Sequence, residues 1–148
     1  MLVWFPIIHR GFKYLVSQFP DRYHNLVGEE SYAPPYVQDV SLRGGEQVLG
    51  VYENFPGSRV DSIVVTDLGL YVVRDLSWHY IPYKDIERTT LPLPADRTIK
   101  ERKRAADRIV LTLASGQVVE IFVRGETRDA SGRVMSRDVY SFDAFLLR

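Results

Sequence analysis

Ile63-Val-Val-Thr-Asp-Leu-Gly-Leu-Tyr-Val-Val73, followed eight residues later by Ile81-Pro-Tyr-Lys-Asp-Ile86, is the stretch that decides the fold. Two runs rich in β-branched and aromatic residues flank Asp67-Leu68-Gly69, which reads as two strands joined by a tight turn. A three-residue loop with glycine in the left-handed position fits that spacing. It sets Val64 opposite Val72 and Val65 beside Tyr71. The same grammar recurs at Arg108–Leu113 and Gln117–Gly125, joined by Ala114-Ser115-Gly116. There the turn pairs Ile109 with Ile121 and Leu111 with Val119, so apolar residues meet on one face, and a slip by one residue would destroy the match.

Working outward, the spacing predicts seven strands in a row. They are Glu46–Phe55, Asp61–Thr66, Leu70–Arg74, Trp78–Arg88, Arg108–Leu113, Gln117–Gly125 and Arg133–Tyr140. Pro56-Gly57 stops the first. Pro82 lies inside the fourth and has no amide proton to give, so it belongs at an edge or a bulge. Asp129-Ala-Ser-Gly132 leads into the seventh. Ser141 then suits an N-cap, and Phe142, Phe145 and Leu146 make the apolar stripe of a closing helix. Between the fourth and fifth strands runs an insertion, Leu91 to Asp107. Its Thr98-Ile-Lys-Glu101 is a capping-box pattern, so a short helix is expected from Ile99 to Ala106. The fold class is therefore mainly β, with seven antiparallel strands capped by a short C-terminal helix.

Ahead of this run, residues 1–45 read as an extension packed on the domain. Arg10 to Gln18 suits two helical turns with Phe12, Leu15, Val16 and Phe19 on one face, and Pro20 ends them. Pro34-Pro35 and Gly44-Gly45 break the looser stretch between Pro20 and the first strand. The opening Met1-Leu-Val-Trp-Phe-Pro-Ile-Ile8 lacks the basic start and small-residue cleavage site of a signal peptide. It also falls short of the roughly 20 apolar residues that span a bilayer.

The 148 residues suffice for one domain with a real core, and 45% hydrophobic against 26% charged residues is ordinary for a globular protein. Nineteen basic residues balance nineteen acidic ones, which counts against a nucleic-acid partner. The chain has no cysteine, so disulfides, thiolate catalysis and cysteine-held zinc are excluded, and a cytoplasmic setting is compatible.

The ordered set of segments resembles bacterial pleckstrin-homology-like domains, including the GRAM-like group. Gly45-Glu46-Gln-Val48-Leu49 matches their opening strand, Val65-Thr66 through Leu70-Tyr71 their hairpin, and Ile81-Pro-Tyr-Lys-Asp-Ile86 the strand after it. The resemblance runs from Gly45 to Arg148. It implies a partly open seven-stranded barrel of two packed sheets, capped by the last helix and carrying the insertion at 91–107. It also implies a non-catalytic binding module that takes lipid headgroups, peptides or proteins, or that assembles with itself.

The residues add their own candidates. Arg97, Lys100, Arg102, Lys103, Arg104 and Arg108 outnumber the acids Asp96, Glu101 and Asp107 across the insertion, a patch suited to anionic lipid headgroups. A solvated helical face with internal charge pairs is the plainer reading. The loop after the first strand, Pro56 to Val60, holds one base, Arg59, which argues against inositol phosphates. Trp4, Phe5, Ile7 and Ile8, with Pro82 on its strand edge, suit a protein interface; for the N-terminal segment, with Arg10 and Lys13, insertion at a membrane interface and packing over the sheet are the alternatives. His9, His24 and His79 show no metal-ligand spacing, and no phosphate loop or nucleophile elbow occurs. No catalytic residue, metal or cofactor is expected. Nine tyrosines are many for this length and suit packing more than a pocket. The expected partner is a protein or a second copy, in the cytoplasm, with an anionic membrane surface as the competing reading.

Overall fold

A computed structural model describes residues 22–26, 34–93, 95 and 98–146, with backbone alone at residues 25, 102–104 and 136. The expected helix at 10–18, and Trp4, Phe5, Ile7 and Ile8, lie outside these. Among the described residues the fold is mainly β: ten short antiparallel strands in three sheets, with two α-helices. The chain divides into two compact units between Asp85 and Ile86.

The first unit holds a five-stranded sheet in sequence order. Its strands are β1 (Tyr23–Asn25), β2 (Val48–Tyr52), β3 (Ile63–Thr66), β4 (Gly69–Arg74) and β5 (Ser77–Pro82). β1 is an addition to the expected set, paired Tyr23 to Tyr52 and His24 to Val51. The β3–β4 register differs by one residue from expectation, with Ile63 opposite Val72 and Val64 opposite Tyr71. The cause is Gly69, which belongs to β4 rather than to the turn. It pairs with Pro82, and a Cβ on it would stand 2.4 Å from the Ile81 carbonyl oxygen. The glycine serves a close approach between strands. The turn is made instead by Thr66, whose Oγ1 accepts from the amides of Leu68 at 3.1 Å and Gly69 at 3.0 Å.

The β4–β5 connection is the two-residue hairpin loop Asp75-Leu76, with φ of 50° and 67°. Both residues are left-handed, as a type I′ turn demands. Both faces of this sheet hold buried residues. Tyr23, Tyr52, Ile63, Val65, Leu70 and Ile81 are buried on one face. On the other, Val51, Val64 and Tyr71 gather with Val40. The 3-10 turn at Pro35–Asp39 brings Tyr36 and Val37 onto that second face, where Trp78 and Tyr80 also pack. His79 points the opposite way and is exposed.

The expected fourth strand, Trp78–Arg88, is broken. A 3-10 turn at Tyr83–Asp85 separates β5 from β6 (Ile86–Thr90). Pro82 closes β5, and Tyr83 is drawn aside: its amide donates to the Leu68 carbonyl at 3.0 Å and its hydroxyl to the Thr66 carbonyl at 2.8 Å. β5 is the outer strand of its sheet, the kind of place where a proline in a strand is tolerated.

The second unit pairs β6 with β7 (Arg108–Leu113), and β7 with β8 (Val118–Phe122). Ile109 meets Ile121 and Leu111 meets Val119, as the sequence predicts. Gly116 carries the left-handed φ of 87° that this turn needs. Alternation is complete in β7, where Ile109, Leu111 and Leu113 are buried and their neighbours are not. Two further short strands, β9 (Glu126–Arg128) and β10 (Val134–Arg137), form a separate hairpin. Asp129 organises its loop by accepting from the Ser131 amide, the Ser131 hydroxyl and the Arg133 amide.

α1 (Ile99–Ala105) opens with both bonds of the expected capping box, between Thr98 and Glu101. α2 (Asp138–Leu146) begins three residues earlier than Ser141, so the last expected strand stops at Arg137. The Asp138 amide donates to the Gly125 carbonyl at 3.0 Å, which turns the chain. Val139 then joins Phe142 and Phe145 on a buried helical stripe; the two phenylalanine rings meet edge to face at 5.9 Å.

Candidate functional site

Two buried carboxylates sit on the first unit, and both are saturated. Glu46 precedes β2. Its Oε1 accepts the Arg43 amide at 3.0 Å and the Tyr71 hydroxyl, and its Oε2 accepts the Thr66 hydroxyl at 2.6 Å. Burial, reinforced by the Glu46 carboxylate, holds the Tyr71 phenol far above its ordinary pKa. Burial also raises that of Tyr80, helped by Glu46 and opposed by Arg43, whose guanidinium lies 4.1 Å from the Tyr80 ring centre. This cluster is a clamp that fixes the segment before β2 against β3 and β4.

Glu53, just after β2, is the second. Its Oε1 lies 2.5 Å from Nε2 of His24, and its Oε2 accepts the Tyr36 hydroxyl at 2.7 Å. The β1–β2 pairing places His24 and Glu53 as diagonal neighbours on one face. Tyr36 in turn stacks on Trp78, with ring centres 6.1 Å apart. Sequence reading missed this trio because β1 is three residues long and carries no alternation to detect. The arrangement ties β1 and the 3-10 turn to β2, and it leaves the Glu53 oxygens occupied.

Among the predicted anion-patch residues, Lys100 is exposed on α1. Arg97 lies outside the described residues, as do the side chains of Arg102, Lys103 and Arg104. Arg108 is on β7 with its guanidinium engaged: Nε donates to Asp107 at 2.9 Å and Nη1 to Glu120 at 3.0 Å. Those two bonds raise its pKa further. The guanidiniums of Arg108 and Arg124 also stand 5.0 Å and 4.2 Å from the Phe122 ring centre. Of the predicted interface residues, Pro82 is half-buried at the end of β5.

The least satisfied surface of the first unit lies elsewhere. The antiparallel order puts the β2–β3 connection and the β4–β5 turn at the same end of the sheet. Large apolar side chains stand exposed there: Leu76 at 78%, Val60 at 51% and Phe55 at 45%. Beneath them the connection is well built. Arg22 Nη1 donates to the Asn54 carbonyl at 2.7 Å, and Asn54 Nδ2 donates to the Asp61 carbonyl at 2.6 Å. The connection is thus braced while its apolar side chains stand in water. The sequence signal for it was a leucine where a two-residue turn calls for glycine or asparagine.

Comparison with family models, with curated proteins and with solved structures returned no match for this chain.

Proposed function

We propose that the chain is a non-catalytic binding module whose partner is a protein, copies of itself included. The observation that carries this reading is the exposure of Leu76, Val60 and Phe55 on connections at one end of the five-stranded sheet. The two buried carboxylates of that unit add support, since hydrogen bonds within the fold already occupy them. The scaffold we propose is the partly open pleckstrin-homology-like barrel. Its support is the order along the chain: the antiparallel run β2 to β5, three strands β6 to β8, and a closing helix, α2. No helix among the described residues is long and apolar enough to cross a membrane. We propose the cytoplasm as the protein's setting, with which the absence of cysteine is compatible.

The test is site-specific photocrosslinking of the full chain in cells. A crosslinker at position 76 is expected to give a protein adduct of discrete mass, and one at exposed Ser115 to give none. Equal labelling at both positions, or none at either, overturns the reading. The competing partner is an anionic membrane engaged through the basic insertion, where Lys100 is exposed. Salt-sensitive sedimentation with acidic vesicles, lost when Lys100, Arg102, Lys103 and Arg104 become glutamate, would favour it instead.

A further inference from the structure

A sheet edge invites another strand, and the described edges are guarded against it with one exception. β1 and β9 are three residues long. β5 ends in Pro82, which has no amide proton to offer. β6 and β10 are interrupted by register shifts, between Ile86 and Arg88 and between Val134 and Ser136. β8 has none of these devices. Its five residues, Val118–Phe122, pair with β7 without a shift and include no proline, glycine or lysine.

The β7–β8 ladder fixes which groups of β8 face outward. The Leu113 amide donates to the Gln117 carbonyl at 2.9 Å, and the Val123 amide to the Asp107 carbonyl at 2.8 Å. Bonded pairs alternate along an antiparallel ladder, so the bonds to β7 belong to Val119 and Ile121. The amides and carbonyls of Val118 and Glu120 point the other way, where no described strand lies. Their side chains are uncovered as well: Val118 is 60% exposed, and Glu120 is exposed beside it. Glu120 Oε1 accepts from Arg108, which leaves Oε2 for a further donor.

The chemistry of this edge names its occupant. Backbone donors and acceptors set in a line are matched by an extended main chain. The face beside them runs Val118, Glu120, Phe122, which suits a strand whose alternate residues are apolar, basic and apolar. A second copy fits worse, because pairing β8 with itself along its full length sets Glu120 opposite Glu120. We infer that the outer edge of β8 takes an extended peptide from a partner protein, laid over Val118–Phe122 and clear of the turn at Ser115. This site belongs to the second unit and does not depend on the apolar end of the first.

Amide chemical shifts of the full chain, titrated with acetyl-Thr-Val-Thr-Lys-Thr-Val-Thr-amide, test it. Millimolar peptide is expected to shift the Val118 and Glu120 amides and to leave those of β1, β5 and β6 in place. The valine and lysine amides of the bound peptide face β8. Methylating those nitrogens should weaken binding about tenfold, since main-chain hydrogen bonds are lost. Methylating the threonine nitrogens, which face away, should leave binding unchanged. Val118→Pro removes an outward proton at the first residue of the strand, a place that accepts proline, and should abolish binding. Val118→Lys keeps the main chain as it is and should weaken binding by repelling the peptide's lysine.

Unmoved amides at Val118 and Glu120 overturn the inference. So does equal weakening by both methylation patterns, or binding that neither variant changes. Shifts there that grow with the chain's own concentration, in the absence of peptide, would make a second copy the occupant and overturn it too. A crosslink at position 76 survives each of these outcomes, so the binding-module reading stands or fails on its own test.

Discussion

At the scale of single residues, the chain spends its buried polar groups on architecture. Glu46 accepts two hydroxyls and an amide, and each donor comes from a different part of the first unit. Removing one donor leaves a buried carboxylate oxygen short of a partner, which costs about 1–3 kcal/mol. Tyr71→Phe is therefore expected to lower stability by about that amount, read as a lower urea midpoint with an unchanged slope. A midpoint equal to the wild type would show that water replaces the phenol. Gly69 shows why the register of the first hairpin is not legible in sequence. A glycine after Asp-Leu has two physical uses, a left-handed turn position or room for a neighbouring backbone, and sequence cannot separate them. The Ile81 carbonyl, which decides it, is twelve residues away.

At the scale of elements, legibility followed length and alternation. β7 and β8 were read in register because each run alternates and the glycine at 116 is truly left-handed. β1 and β9, three residues each, carry too little pattern to announce themselves. The exposed apolar end escaped notice for another reason: it needs two connections to meet, and only the strand pairing brings them together. α1 was legible through its capping box.

The β9–β10 hairpin is held by charge rather than apolar area. Glu126 takes Arg128 at 2.5 Å on one oxygen and Arg137 on the other, while Arg137 Nε donates to the Ala106 carbonyl at 2.8 Å. Burial pushes the Glu126 carboxyl upward, yet the two arginines hold it below its ordinary value of 4.5. A carboxyl that binds its proton less tightly when folded adds stability above the unfolded value, and that addition fades as pH falls through the folded one. Glu126→Gln is thus expected to cost about 1 kcal/mol at neutral pH. The gap in melting temperature from wild type should close as the pH drops below 4.5. A gap that stays constant with pH would contradict the charged clasp.

At the scale of the whole molecule, each unit has a strand at the middle of its sheet, β3 in the first and β7 in the second. Both are buried on their core faces: all four residues of β3, and Ile109, Leu111 and Leu113 of β7. Amide exchange is expected to be slowest there and fastest in β1, the three-residue strand at a sheet edge. Protection concentrated in β1 instead would mean that the sheet order is wrong.

Every described strand hydrogen-bonds only to strands adjacent to it in the sequence. The search for partners during folding is then short-ranged, and little loop entropy is surrendered before each pairing is rewarded. On a translating ribosome, β2 to β5 have all their mutual partners by the time Pro82 has left the exit tunnel. The zipping of that meander needs nothing from the residues still to be made.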